Sequence, residues 1–137
     1  MLSLIHIYLA TIDHVSIAVR DLKAGERFYT ALLATLGMTK LRGWPDAAIG
    51  YGKKYPEFWI NRRTDMAPVS VDSGVHICLR ASNAAMVDTF HAAALAAGGT
   101  SDGVPGFRAQ YHESYYAAFI RDPDGNRIEA VTFVAAK

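Results

Sequence analysis

Cysteine is almost missing from this sequence: Cys78 is the only one in 137 residues. One thiol cannot close an intramolecular disulfide or build a cysteine-type zinc site, and a reducing, cytoplasmic setting suits such a chain. An excess of charge is missing too. Fourteen Lys and Arg face 13 Asp and Glu, for a formal net charge of +1. That leaves little field to attract nucleic acid or an anionic membrane, so neither is expected as a partner. The apolar opening stretch, MLSLIHIYL, is shorter than the roughly 20 residues that span a bilayer. It also lacks the basic start and small-residue cleavage pattern of a secretory signal. Residues 1–10 read as a leader of uncertain role: an extra edge strand, a dimer contact or a cloning remnant.

Hydrophobic residues make up 51% of the chain and charged residues 20%, the balance of an ordinary globular protein. The length suits one domain with a core of its own, here residues 11–137. Within it the chain repeats itself. When the sequence is slid so that His14 meets His76, Phe28 meets Phe90, Leu33 meets Leu95 and Gly37 meets Gly99. The first repeat spans about 11–66 and the second about 73–134, with residues 64–74 as the linker.

Each repeat opens with a strand of alternating character. Val15, Ile17 and Val19 share one face, and His14, Ser16 and Ala18 the other. Val75, Ile77 and Leu79 likewise oppose His76, Cys78 and Arg80. The branched face suits packing under a helix; the small or polar face suits a cavity wall. Asp21, and Ser82 or Asn83, can cap the helices that follow. Leu22, Phe28, Leu32, Leu33 and Leu36 form an apolar stripe in one helix; Met86, Val87, Phe90, Ala94 and Leu95 form it in the other. Gly37 and Gly98-Gly99 suit the turns that end them. Short strands follow near 39–42, 47–51 and 57–62, then near 108–110, 115–121 and 127–134. Asp122-Pro123-Asp124-Gly125 is a strong turn. Residues 100–114, rich in Gly, Pro and Ser, read as a long loop of the kind that borders sites.

The stretches IDHVSIAVRDLKAGERFY and YYAAFIRDPDGNRIEAV together resemble vicinal oxygen chelate proteins (glyoxalase, bleomycin-resistance protein, extradiol dioxygenase), most of all the small glyoxalase-like members. The resemblance covers residues 11–134. It implies an α+β fold of two β-α-β-β-β repeats forming an open, curved, mixed β-sheet barrel with flanking helices. It also implies a divalent metal ion, iron, manganese, zinc or nickel, although many members have lost theirs. Carried over by position, His14, His76 and Glu129 are the metal ligands. The fourth position falls within Glu57-Phe58-Trp59-Ile60, where Trp59 stands opposite Glu129, so the four-ligand set is incomplete. Two imidazoles and one carboxylate still leave open coordination positions.

Other residues suggest a substrate site. Glu129 doubles as a candidate base, and His112 with Tyr116 or its neighbour Tyr115 can serve as acid, base or hydrogen-bond donor. Trp59 is a candidate cavity wall, Arg80 a candidate anchor for an anionic group, and Ser16 a candidate substrate contact. Against these stand blander readings: a solvated loop His112, a packed Trp59, a rim Arg80, and Arg127 as the cation satisfying Glu129. Cys78 reads as a small buried thiol and His91 as structural.

The expected function is a metal-dependent enzyme acting on a small molecule with neighbouring oxygens, of isomerase or lyase, thiol-transferase or dioxygenase type. The alternative is a metal-free protein that sequesters a small molecule, as bleomycin-resistance proteins do. A dimeric interaction module is the third reading, and the resemblance implies a homodimer in either of the first two.

Overall fold

Strand polarity and helix capping organise each half, and both are visible in the computed structural model, which describes residues 10–135. The readings for residues 1–9 lie outside it. In β1 (Val15–Val19), Val15 and Ile17 pack against the core and Val19 is buried within it. In β5 (His76–Arg80), Ile77 and Leu79 point inward while His76, Cys78 and Arg80 are exposed. The helix α1 (Leu22–Ala34) starts at Asp21, whose carboxylate accepts from the Ala24 amide at 3.1 Å. Its counterpart α2 (Ala84–Ala96) starts at Asn83, not Ser82, with the side-chain oxygen accepting from Met86 at 2.9 Å. Each cap satisfies an amide that the first helical turn leaves free.

Phe28, Leu32, Leu33 and Leu36 from the first helical segment, and Val87, Phe90 and Ala94 from the second, are buried in one shared core. Leu95 is exposed instead, so the second stripe is narrower than the sequence suggests. Gly37 (φ 81°) and Gly98 (φ 105°) take the left-handed conformation that ends each helix cleanly.

Three strands follow each helix. The first half adds β2 (Thr39–Trp44), β3 (Ala48–Gly52) and β4 (Phe58–Arg62) in the order β1-β4-β3-β2. The second adds β6 (Thr100–Phe107), β7 (Tyr115–Arg121) and β8 (Arg127–Phe133) in the order β5-β8-β7-β6. The helix crossover makes β1 parallel to β4, and β5 parallel to β8; the remaining pairs are antiparallel. The fold is therefore α+β with two β-α-β-β-β repeats. Among the described residues no strand of one mixed sheet pairs with a strand of the other, so the barrel is not closed there.

One sequence expectation is corrected. Residues 100–107 are a strand, and the loop is confined to the segment after Phe107, including the residues 108–110 read as a strand. Gly103, Pro105 and Gly106 are tolerated because β6 is an edge strand whose register against β7 shifts twice, between Ser101 and Gly103 and again before Gly106.

The turn after β7 joins the halves. Asp122 is buried and accepts from Tyr29 Oη of α1 at 2.6 Å, from the amides of Asp124 and Asn126, and from Asn126 Nδ2. The same Asn126 Nδ2 donates to the Ala18 carbonyl at 2.9 Å, and Asp124 accepts from the Arg20 amide at 3.2 Å. Burial, outweighing these donors, holds the Asp122 carboxyl above its ordinary range. It also raises the Tyr29 phenol well above its own, with the Asp122 charge adding to the effect.

Candidate functional site

Cross-strand partners project from the same side of a sheet, so register defines each open face. In the second sheet Cys78 pairs with Glu129, Arg80 with Val131, Phe119 with Glu129 and Tyr115 with Phe133. His76, Cys78, Arg80, Glu129, Phe119, Tyr115 and Phe133 therefore share one face. Glu129 lies at its centre with a nearly buried side chain. His76 Nε2 is 2.9 Å from Glu129 Oε1, and the Tyr115 hydroxyl donates to Oε2. The small Ala117, between Tyr115 and Phe119 on the same face, leaves room for that reach. Burial first, then the bond to Glu129, keeps the Tyr115 phenol well above its ordinary range, so Tyr115 acts here as a protonated donor. Cys78 reaches solvent, yet desolvation and the neighbouring Glu129 charge push its thiol up to about 12. A thiol so rarely ionised is a poor nucleophile.

Tyr116 faces the other way. Its hydroxyl donates to Asp88 of the second helix at 2.6 Å, and its ring meets Phe107 edge-on. Of the two tyrosines considered from sequence, Tyr115 is the one beside Glu129. His112 lies in the loop before β7, where Nδ1 accepts from the Ser114 amide at 3.0 Å and the ring packs edge-on against Phe133. Phe133 also contacts Tyr115 edge-on and carries the Arg80 guanidinium 5.1 Å above its ring. Arg127 does not satisfy Glu129; it lies 3.6 Å from Asp102 and donates to the Val71 carbonyl.

The open face of the first sheet has a different chemistry. Ser16 accepts from Asn61 Nδ2 at 2.8 Å. Ser16 pairs with Trp59 as Cys78 pairs with Glu129, so Trp59 occupies the slot that Glu129 fills in the other half. The Trp59 ring lies over Gly50, its cross-strand partner, where an added Cβ would come within 2.9 Å of the indole. Trp44 ends β2 and packs against Trp59 with ring centroids 5.2 Å apart and the planes tilted by 35°. The two indoles together form an aromatic platform.

His14 and His76 both line a cleft of about 500 Å³, together with Leu36, Met38, Phe58 and Arg80. Glu129 is not part of that lining. His14 is exposed and sits 2.7 Å from Asp13, just before β1 rather than within it, at the sheet that does not carry Glu129. Among the described residues, no three His, Cys, Asp or Glu side chains converge in a way that could hold a metal ion. Within one chain the residues present do not fit the three-ligand centre expected from sequence. Of the three expected ligands, His76 and Glu129 meet on one sheet, whereas His14 lies beside Asp13 at the start of the other.

The sequence carried a signal for Tyr115 that motif reading passed over. Counting outward from the Asp122–Asn126 turn pairs odd-numbered residues with odd-numbered ones, Phe119 with Glu129 and Tyr115 with Phe133. That arithmetic puts Tyr115, not Tyr116, on the face of Glu129. The Trp44–Trp59 contact had no comparable signal, because the irregular register of β2 against β3 sets it.

Comparison with known proteins agrees with this architecture. Residues 11–130 match the model of the Glyoxalase/Bleomycin resistance protein/Dioxygenase superfamily. The chain is similar to the crystal structure of a glyoxalase/bleomycin resistance protein from Albidiferax ferrireducens, with 34% identity and a TM-score of 0.77, covering 89% of this chain and 98% of that one. The fold alone is shared with a family enzyme from Burkholderia phytofirmans (19% identity, TM-score 0.68, 91% and 100% covered). It is likewise shared with the fosfomycin resistance protein FosX from Mesorhizobium loti (15% identity, TM-score 0.65, 93% and 95% covered). No curated protein matches the chain. Among the described residues no helix is long and apolar enough to cross a membrane. With nearly the whole chain matched and a relative of the same build, this protein belongs to the glyoxalase/bleomycin resistance protein/dioxygenase superfamily.

Proposed function

We propose that this protein is an enzyme that moves a proton on a small molecule bearing neighbouring oxygens, with Glu129 as the base. The observation that carries the reading is a nearly buried carboxylate on an open sheet face, held by His76 on one oxygen and Tyr115 on the other. A structural ion pair needs one partner; this carboxylate has two orienting groups, and each oxygen keeps a lone pair free. Glu129 takes a proton from the carbon beside a carbonyl, and the bonding electrons move onto the carbonyl oxygen. His76 and Tyr115 hold the carboxylate in place; the neighbouring hydroxyl passes its proton to the former carbonyl oxygen, and return of the first proton from Glu129 to the former carbonyl carbon completes an isomerisation that exchanges carbonyl and alcohol. Proton transfer by a positioned group supplies roughly 10²–10⁴-fold in rate. No step is assigned to a metal, since a divalent ion would meet only two of the expected donors here.

The test is solvent deuterium exchange into α-hydroxyketones such as hydroxyacetone, followed by NMR. Exchange catalysed by the wild-type protein and slowed at least ~100-fold in Glu129→Gln supports the reading; equal rates in both overturn it. Exchange that is lost on dialysis against a chelator and restored by Mn²⁺ or Fe²⁺ points instead to the three-ligand centre read from sequence.

A second reading rests on the Trp44–Trp59 platform over Gly50, which suits stacking of a flat aromatic molecule. Quenching of tryptophan fluorescence by aromatic compounds, absent in Trp59→Leu, together with no catalysed exchange, favours sequestration.

A further inference from the structure

The open face of the second sheet carries a set of arginines, and three are engaged. Arg121 donates to Asp102 from Nη2 and Nε at 3.2 and 3.3 Å. Arg127 sits 3.6 Å from the same carboxylate and donates to the Val71 carbonyl at 2.6 Å. Arg108 lies over the Phe119 ring and donates to the carbonyls of Gly106 and Val104. Arg80 differs from all three. Its guanidinium lies over Phe133, and among the described residues no carboxylate or other acceptor takes its N–H groups.

Stacking fixes the plane of a guanidinium without consuming its in-plane donors. Phe133 is itself braced edge-on by Tyr115 at 5.5 Å and His112 at 5.9 Å. The aromatic cluster that includes Tyr115, the partner of Glu129, thus also holds Arg80. Along β5, Arg80 is two positions beyond Cys78, the cross-strand partner of Glu129. Two strand residues rise about 6.6 Å, roughly the length of a three- or four-carbon acid. Arg80 borders the 500 Å³ cleft together with His76, bonded to Glu129, and Cys78, its cross-strand partner, so a ligand there lies against the residues that flank Glu129. The face holds Arg80, Arg108, Arg121 and Arg127 against Asp102 and Glu129, which favours an anion despite the nearby carboxylates.

We propose that the ligand of this site is a small organic acid whose oxyanion docks on Arg80, with its carbon chain directed toward Glu129. This rests on the reading of Glu129 as a base and adds the class of molecule it acts on. A free, planar guanidinium meets a carboxylate through two parallel hydrogen bonds, which fixes the orientation of the ligand as well as its position.

The test follows the arginine Nε–Hε NMR signals during titration with lactate, its uncharged amide, and 1-hydroxyethylphosphonate. Arg80 should shift with the acids and not with the amide. Arg80→Gln should weaken acid binding at least tenfold, about 1.4 kcal/mol, and Arg80→Lys should recover part of it. The two acids identify the preferred oxyanion by their relative affinities. An Arg80 signal unmoved by both acids, or moved equally by the amide, overturns the proposal, as does unchanged binding in a folded Arg80→Gln protein. The two readings fail separately. Lost exchange in Glu129→Gln with undiminished acid binding in Arg80→Gln sinks only the anchor. Arg80-dependent binding with full exchange in Glu129→Gln upholds the anchor and sinks the base.

Discussion

At the scale of single residues, what matters is which hydroxyl faces Glu129. Tyr115 and Tyr116 are neighbours in sequence and opposites in space, one on the acid, the other on Asp88. Tyr115→Phe should slow proton exchange roughly tenfold or more, the worth of one hydrogen bond to a charged group. Tyr116→Phe should leave that rate unchanged, because its hydroxyl serves the second helix. Steady-state exchange rates for the two variants check the pair. The individual candidates were legible in the sequence to differing degrees. His76 and Glu129 stand out there, by repeat position and by the oddity of an acid in an apolar strand, and the fold sets them 2.9 Å apart. His14 stands out equally, but its surroundings depend on how the two sheets are placed, which no local pattern encodes. Arg80 reads as a rim charge until Phe133 is seen beneath it.

At the scale of elements, strand alternation and helix caps were readable because they depend on neighbours in sequence. Asp21 and Asn83 cap as their chemistry requires. The strand β6 was not readable, because its Gly- and Pro-rich composition fits a loop and only pairing with β7 makes it a strand. The β3–β4 pair allows a direct check on packing. A methyl group at Gly50 would stand 2.9 Å from both the Trp59 indole and Pro56. Gly50→Ala should therefore cost ~1–3 kcal/mol, the usual range for overpacking. It should also shift the tryptophan emission, as Trp59 is pushed off its floor and away from Trp44. Chemical denaturation followed by intrinsic fluorescence reads both effects at once; an unchanged midpoint and spectrum would show that the ring has slack.

At the scale of the molecule, the halves are tied by the buried Tyr29–Asp122 contact and by Asn126 reaching the end of β1. Tyr29→Phe removes a hydrogen bond to a buried carboxylate and should cost about 1.5–3 kcal/mol. Urea titration followed by circular dichroism checks it; a loss well below that range would mean that Asp122 finds another donor. The duplication was legible in the sequence, but the contact between the copies was not, because it joins residues 93 positions apart.

The duplicated backbone also carries a constraint on how the protein can change. Trp59 over Gly50 and Glu129 beside Phe119 are two fillings of the same pair of cross-strand slots: a very large residue with the smallest, or two of middling size. Exchanging one member alone leaves either a hole or a collision. Conversion of the stacking half into a second acidic half, or the reverse, is therefore a two-step route whose intermediate is the least stable form. Pairwise swaps, such as Trp59→Glu with Gly50→Phe, are the steps the scaffold admits.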